Sequence, residues 1–116
     1  MRIMIVDDNE LMRKEISKSV AFLADTILEC YDGEHAVLSC VDFMPDWILM
    51  DIKMPTMNGI TAAEKIKGIL PHVKIAFVTS YDNPYFRRAA DSIGVEHYFL
   101  KTNLLEIRKV LDDSQG

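Results

Sequence analysis

The stretch Trp47-Ile48-Leu49-Met50-Asp51-Ile52-Lys53-Met54-Pro55 sets four consecutive apolar residues directly against an acid and closes on a proline. A run that short, without polar alternation, fits a buried strand of a parallel sheet. Met54-Pro55 and Asn58-Gly59 then turn the chain into a helical pattern from about Ile60 to Leu70, closed by Pro71.

The same alternation extends in both directions. Upstream, Ile3 to Val6 reads as a strand buried on both faces. Asn9 can cap a helix carrying Leu11, Met12, Ile16, Val20 and Leu23. Thr26 to Cys30 is a second strand, partly polar, and Asp32-Gly33 opens a helix with Ala36, Val37 and Cys40. Downstream, Val73 to Val78 is a fourth strand ending at Thr79-Ser80. Asn83-Pro84 caps the next helix, with proline in its first position, and Gly94 ends it. Val95 to Leu100 is a fifth strand. Asn103 with Glu106 resembles a capping box for a last helix through about Leu111, leaving 112–116 as a frayed end or the start of a linker. Five strands alternating with five helices predict one α/β domain over 1–116, a doubly wound parallel sheet with helices on both faces.

The 116 residues, 49% hydrophobic and 27% charged, suit a soluble globular domain. A net charge of −5 argues against direct nucleic-acid contact. No apolar run reaches membrane-spanning length and no basic segment leads into a signal-like one, so the expected location is the cytoplasm, with no membrane partner. Cys30 and Cys40 form no CxxC pair and read as buried small hydrophobes.

In such a sheet, chemistry collects where strands end at their carboxyl edge. Asp7 and Asp8 follow the first strand, Asp51 the third, Thr79 and Ser80 the fourth, and Lys101 the fifth. Any one of these could simply be a polar loop residue. Three carboxylates together repel one another unless a cation or proton intervenes. All-oxygen ligands suit Mg²⁺, Lys101 suits a phosphate oxygen, and Thr79 offers a hydrogen bond. The set points to phosphoryl transfer onto a carboxylate.

Ile5-Val6-Asp7-Asp8, Met50-Asp51-Ile52-Lys53-Met54-Pro55 with Asn58-Gly59, Val78-Thr79-Ser80 and Tyr98-Phe99-Leu100-Lys101, in this order, resemble the response-regulator receiver family over essentially the whole chain. The resemblance implies the flavodoxin-like strand order 2-1-3-4-5. It implies that Asp51 accepts a phosphoryl group from a histidine kinase or phosphotransfer protein, the domain being a phosphoacceptor rather than an enzyme. Asp8, Asp51 and the Lys53 carbonyl would ligate Mg²⁺, with Asp7 acting mainly through water. Thr79 and Tyr98 would be the switch residues, Lys101 would pair with the phosphoryl group, and the readout face would be the fourth helix, fifth strand and fifth helix. Dimerisation through that face on phosphorylation is compatible with this reading.

Where many receivers carry a cis proline after the lysine, this chain has Thr102. A non-proline cis bond is costly, so the loop geometry is left open. Subgroups with a C-terminal helix-turn-helix output domain often lack that proline, which suggests a receiver from a transcription regulator. Lys53 and Tyr81, bulky residues flanking the route of attacking water in the family, imply slow self-hydrolysis.

His35, His72 and His97 lack metal-ligand spacing, and the seven methionines read as core filler. Helical spacing buries one of Tyr85 and Phe86, and the other is a candidate partner contact. Arg87-Arg88 beside them reads as a solvated face. Two alternatives stand: a binding module that has kept the fold but lost phosphorylation, and a flavin or nucleotide binder. Against the second, neither GxGxxG nor GxxxxGK[ST] occurs. An aspartyl-phosphate phosphatase would carry a second acid where Lys53 stands.

Overall fold

The computed structural model describes residues 1–115. Strands β1 (Arg2–Val6), β2 (Thr26–Cys30), β3 (Trp47–Met50), β4 (Lys74–Thr79) and β5 (His97–Leu100) alternate with helices α1 (Glu10–Val20), α2 (Gly33–Phe43), α3 (Gly59–Ile69), α4 (Pro84–Ser92) and α5 (Leu104–Gln115). A 3₁₀ turn, Ala21–Leu23, ends α1. The strands are parallel in the order β2-β1-β3-β4-β5.

Side chains alternate across each strand, so the sheet divides the core in two. Met4, Val6, Ile48, Met50 and Phe77 pack with Cys40, Ala62, Ile66 and Ala90 of α2, α3 and α4. Ile3, Ile5, Trp47, Leu49 and Val78 pack on the other face with Ile16 and Val20 of α1 and Ile107 and Leu111 of α5. Each large side chain so covered contributes roughly 1.5–3 kcal/mol. Every residue of β3 is buried, as its unbroken apolar run requires.

Helices α1 to α4 start on the side-chain caps expected of their residues, whereas before α5 the Asn103 N–H donates to Leu100 O at 2.9 Å and not to Glu106 as the expected capping box requires. Asn9 Oδ1 accepts from Met12 N at 2.9 Å, Asp32 Oδ1 from His35 N at 2.8 Å, Asn58 Oδ1 from Thr61 N at 2.9 Å and Asn83 Oδ1 from Tyr85 N at 2.8 Å. A cap of this kind is worth about 1 kcal/mol. Gly94 closes α4 with φ +81°, a left-handed conformation glycine adopts without penalty.

Three expectations change. Leu11 is 79% exposed, because the buried stripe of α1 runs through Ile16 and Val20 instead. β4 and β5 each start later than their apolar runs, and Val95 N–H closes α4 by donating to Ala90 O at 2.9 Å. Finally, α5 passes Leu111 and continues through Gln115. Ser114 Oγ there accepts from Trp47 Nε1 at 3.2 Å and donates to Leu111 O at 2.8 Å. Gly116, the last residue of the expected tail, lies outside the described residues. Among the described residues no helix is long and apolar enough to cross a membrane.

Candidate functional site

Backbone pairing continues beyond the last residue of β1, β3 and β5 and fixes the acids and the lysine that stand there. Asp7 N donates to Cys30 O at 3.1 Å, Asp51 N to Val6 O at 2.9 Å, and Lys101 N to Thr79 O at 2.9 Å. Asp7, Asp8 and Asp51 thereby each offer an oxygen within 4.8 Å of the others. Asp7 is fully buried, Asp51 nearly so, and Asp8 is open to solvent.

Lys101 Nζ lies 2.8 Å from Asp7 Oδ2 and 2.9 Å from Asp51 Oδ2, so one ammonium bridges two carboxylates. The second oxygens are held by the backbone: Asp51 Oδ1 accepts from Ile52 N and Asp7 Oδ1 from Asn9 N, both at 2.8 Å. Burial pushes the Asp51 carboxyl above its ordinary value, more than Lys101 draws it down, and Asp7 adds to the rise. Burial pulls the Lys101 ammonium down, but Asp7 and Asp51 together outweigh it and leave it above an ordinary lysine.

Three carboxylates thus face one ammonium. Asp7 Oδ2 is buried and receives no well-aligned hydrogen bond, although the ammonium is close. A hard divalent cation answers both features, since it prefers oxygen donors and neutralises the excess charge. The exposed Asp8 leaves one side open for waters or a phosphoryl oxygen. The residues present fit Mg²⁺.

Thr79 is the last residue of β4 and fully buried; its Oγ1 accepts from Tyr81 N at 3.3 Å. The Tyr98 hydroxyl donates to Tyr81 O, and the Arg87 guanidinium lies 4.4 Å from the Tyr98 ring centroid. Lys53, exposed in the β3–α3 connection, holds Nζ 4.2 Å above the Tyr81 ring, which itself meets Phe86 edge-on at 6.4 Å. Phe86 is half-buried and Tyr85 is 69% exposed, the division expected from helical spacing. Among the described residues no peptide bond is cis, so the Lys101–Thr102 bond is trans.

Two positioning residues escaped the sequence reading. Gly59 N donates to Ile52 O at 2.7 Å, and a Cβ there would stand 2.0 Å from Asp51 O. Asn58-Gly59 was legible as a turn, but the close approach of a distant backbone was not. Arg13 Nη1 donates to Asp7 O at 2.7 Å, a contact that nothing in the local pattern of α1 signals.

Other features stay apart from this cluster. Two open clefts of about 640 and 590 Å³ meet around Trp47, His72 and Lys74 at the opposite edge of the sheet, and neither touches an acid of the cluster. Both cysteines are buried free thiols, and burial pushes Cys30 up to about 12.

Residues 3–112 match the family described as response regulator receiver domain. The chain is 39% identical over 105 residues to the response regulator protein VraR of Staphylococcus saprophyticus, covering 87% of this chain and 49% of that protein. It therefore spans about half the length of the curated relatives it matches. A DNA-binding response regulator of the LuxR family from Staphylococcus aureus superposes with a TM-score of 0.88 at 21% identity, covering 99% of this chain and 98% of that one. RcsB of Salmonella typhimurium gives 0.91 at 24%, covering 99% of this chain and 61% of that one. At those identities the structural likeness shows the fold.

Proposed function

Because this chain belongs to the response-regulator receiver family of two-component systems, we propose that it is a phosphorylation switch whose Asp51 accepts a phosphoryl group from the phosphohistidine of a sensor kinase or phosphotransfer protein. The observation that carries this reading is Lys101 Nζ held between Asp7 and Asp51 at 2.8 and 2.9 Å, beside an open acidic cluster.

An Asp51 carboxylate oxygen attacks phosphorus while the phosphorus–nitrogen bond breaks. The bonding pair leaves with the donor imidazole, which takes up a proton from solvent. Asp7, Asp8, Asp51 and the Lys53 carbonyl would hold Mg²⁺, which supplies neutralisation of the charge on the transferring group. Lys101 turns from the two carboxylates to a phosphoryl oxygen, which it meets as a point charge. The acceptor is consumed and regenerated by hydrolysis, so the domain takes part in transfer without being an enzyme in its own right.

The signal then leaves through Thr79. In moving to donate its O–H to the phosphoryl group, Thr79 Oγ1 draws away from Tyr81 N–H, from which it accepts. Tyr81 also accepts from Tyr98, so the β4–α4 connection and Tyr98 readjust together. The face of α4, β5 and α5 carries the change to an output domain or to a second copy. The relatives' names include a DNA-binding regulator, which fits control of transcription in the cytoplasm, with DNA contact made outside this domain.

The test is intact-protein mass spectrometry after incubation with acetyl phosphate and Mg²⁺, beside Asp51→Asn and EDTA controls. One added phosphoryl group, absent from both controls, is expected. No added mass with either acetyl phosphate or a phosphorylated kinase would instead favour a binding module fixed in one state.

A further inference from the structure

We propose that Arg13 is a positioning residue for the acidic cluster, orienting the Asp7–Asp8 peptide that carries two of its carboxylates; this rests on the reading of that cluster as a divalent-cation site. Arg13 lies one turn into α1, where its own N–H donates to Asn9 O at 3.0 Å. Its side chain is only 15% exposed. Nε reaches Glu29 Oε1 on β2 at 3.3 Å, while Nη1 donates to Asp7 O at 2.7 Å. The other Glu29 oxygen accepts from Lys14 Nζ at 2.9 Å, so the anchor on β2 is itself held.

The carbonyl that Nη1 grips belongs to the peptide joining Asp7 to Asp8. That peptide is planar, so fixing its oxygen fixes the direction in which both residues leave it. The other side of Asp7 is pinned by its N–H to Cys30 O, and its Oδ1 by Asn9 N. Lys101 holds Oδ2, and Arg13 restrains the carbonyl. A guanidinium suits this because its rigid planar fork presents Nε to the carboxylate and Nη1 to the carbonyl from separate atoms in fixed directions, a spread that the single nitrogen of an ammonium does not reproduce.

Position and charge make opposite forecasts here. As a nearby cation, Arg13 repels a metal ion, and its removal should tighten binding. As an orienting group it pre-sets the ligand oxygens, and its removal should weaken binding. The sign of the change separates the two.

The experiment is calorimetric titration of the whole chain with Mg²⁺ for the parent, Arg13→Ala, Arg13→Lys and Glu29→Gln, each checked for folding by circular dichroism in EDTA. Arg13→Ala and Arg13→Lys are expected to weaken Mg²⁺ binding roughly tenfold, the scale seen when groups supporting metal ligands are lost. Glu29→Gln, which leaves Arg13 in place but loosens its anchor, should weaken it less and serves as the variant of choice should Arg13→Ala fail to fold. With acetyl phosphate, the Mg²⁺ concentration for half-maximal phosphorylation should rise by the same factor while the rate at saturating Mg²⁺ stays near that of the parent. Unchanged or tighter binding in folded Arg13→Lys overturns the inference. A parent that binds no Mg²⁺, or binds it equally well as Asp51→Asn, instead overturns the reading of the cluster as a metal site.

Discussion

The phenolic hydroxyl of Tyr98 on β5 donates to the backbone carbonyl of Tyr81 in the β4–α4 connection. Tyr81 N–H in turn donates to Thr79 Oγ1 at 3.3 Å, so a single residue stands between the threonine and the tyrosine of the proposed relay. Tyr98→Phe removes one of these bonds and should cost about 1 kcal/mol, the usual net worth of a hydrogen bond. Urea denaturation would measure it. Amide exchange at 80–83 should quicken, while the extent of phosphorylation by acetyl phosphate should stay that of the parent. An unchanged exchange pattern would remove Tyr98 from the relay.

Lys53 and Tyr81 meet from two different loops, with the ammonium 4.2 Å above the ring, and on the proposed function they shield the phosphoryl group from water. A cation over an aromatic face at a partly exposed site is worth about 0.5–1 kcal/mol. Lys53→Asn and Tyr81→Ala should each shorten the phosphoryl lifetime several-fold, followed as loss of phosphorylated mass over time. A longer lifetime in either variant would contradict the shielding role.

Asp51 gives a pH dependence of definite sign. Its carboxyl is raised by burial, so the folded protein binds that proton more tightly than the unfolded chain. The stability it contributes is present below the ordinary carboxylate range and lost as pH rises through the folded value. In EDTA, Asp51→Asn should therefore melt a few degrees above the parent near neutrality, and the gain should fade as the pH is lowered to about 4. Mg²⁺ should close the gap by stabilising the parent, by about 2.7 kcal/mol at one hundred times its dissociation constant. A parent that outlasts Asp51→Asn in EDTA near neutrality would refute this account.

Gly59→Ala should be among the costliest one-carbon changes in the chain. Its Cβ would meet Asp51 O at 2.0 Å and Ile52 Cα at 3.0 Å, both backbone atoms that can yield only by moving the acceptor. Overpacking on this scale costs about 3 kcal/mol. Thermal melting should drop and acetyl-phosphate labelling should slow. Gly68→Ala has nothing within 4 Å of the added carbon and should be neutral or mildly stabilising.

The sheet was legible because β3 and the Ile3–Val6 run of β1 are uniformly apolar and because Asn9, Asp32, Asn58 and Asn83 mark their helices by a local mechanism. The acids were legible because each stands just beyond an apolar run, so the order of strands brings them together. The hidden features are those that depend on distance along the chain. Trp47 meets Ser114 across 67 residues, and this contact accompanies a helix that outlasts its apolar periodicity. Arg13 meets Asp7 O through a side-chain torsion that no periodicity encodes. The shallow Leu11 was misjudged because helical spacing gives a stripe but not its edge.

The bridge from Lys101 to Asp51 spans 50 residues of sequence, and the lysine stands just beyond the last strand, which pairs only with β4 among the described residues. During synthesis the acceptor emerges well before its ammonium partner. Until β5 docks, Asp7 and Asp51 lack the ammonium that bridges their carboxylates, and Thr79 O lacks the Lys101 N–H that pairs with it. On the proposed function, receptivity to a donor is tied to completion of the fold, because the ammonium that would meet the phosphoryl group joins the acids only when the last strand docks.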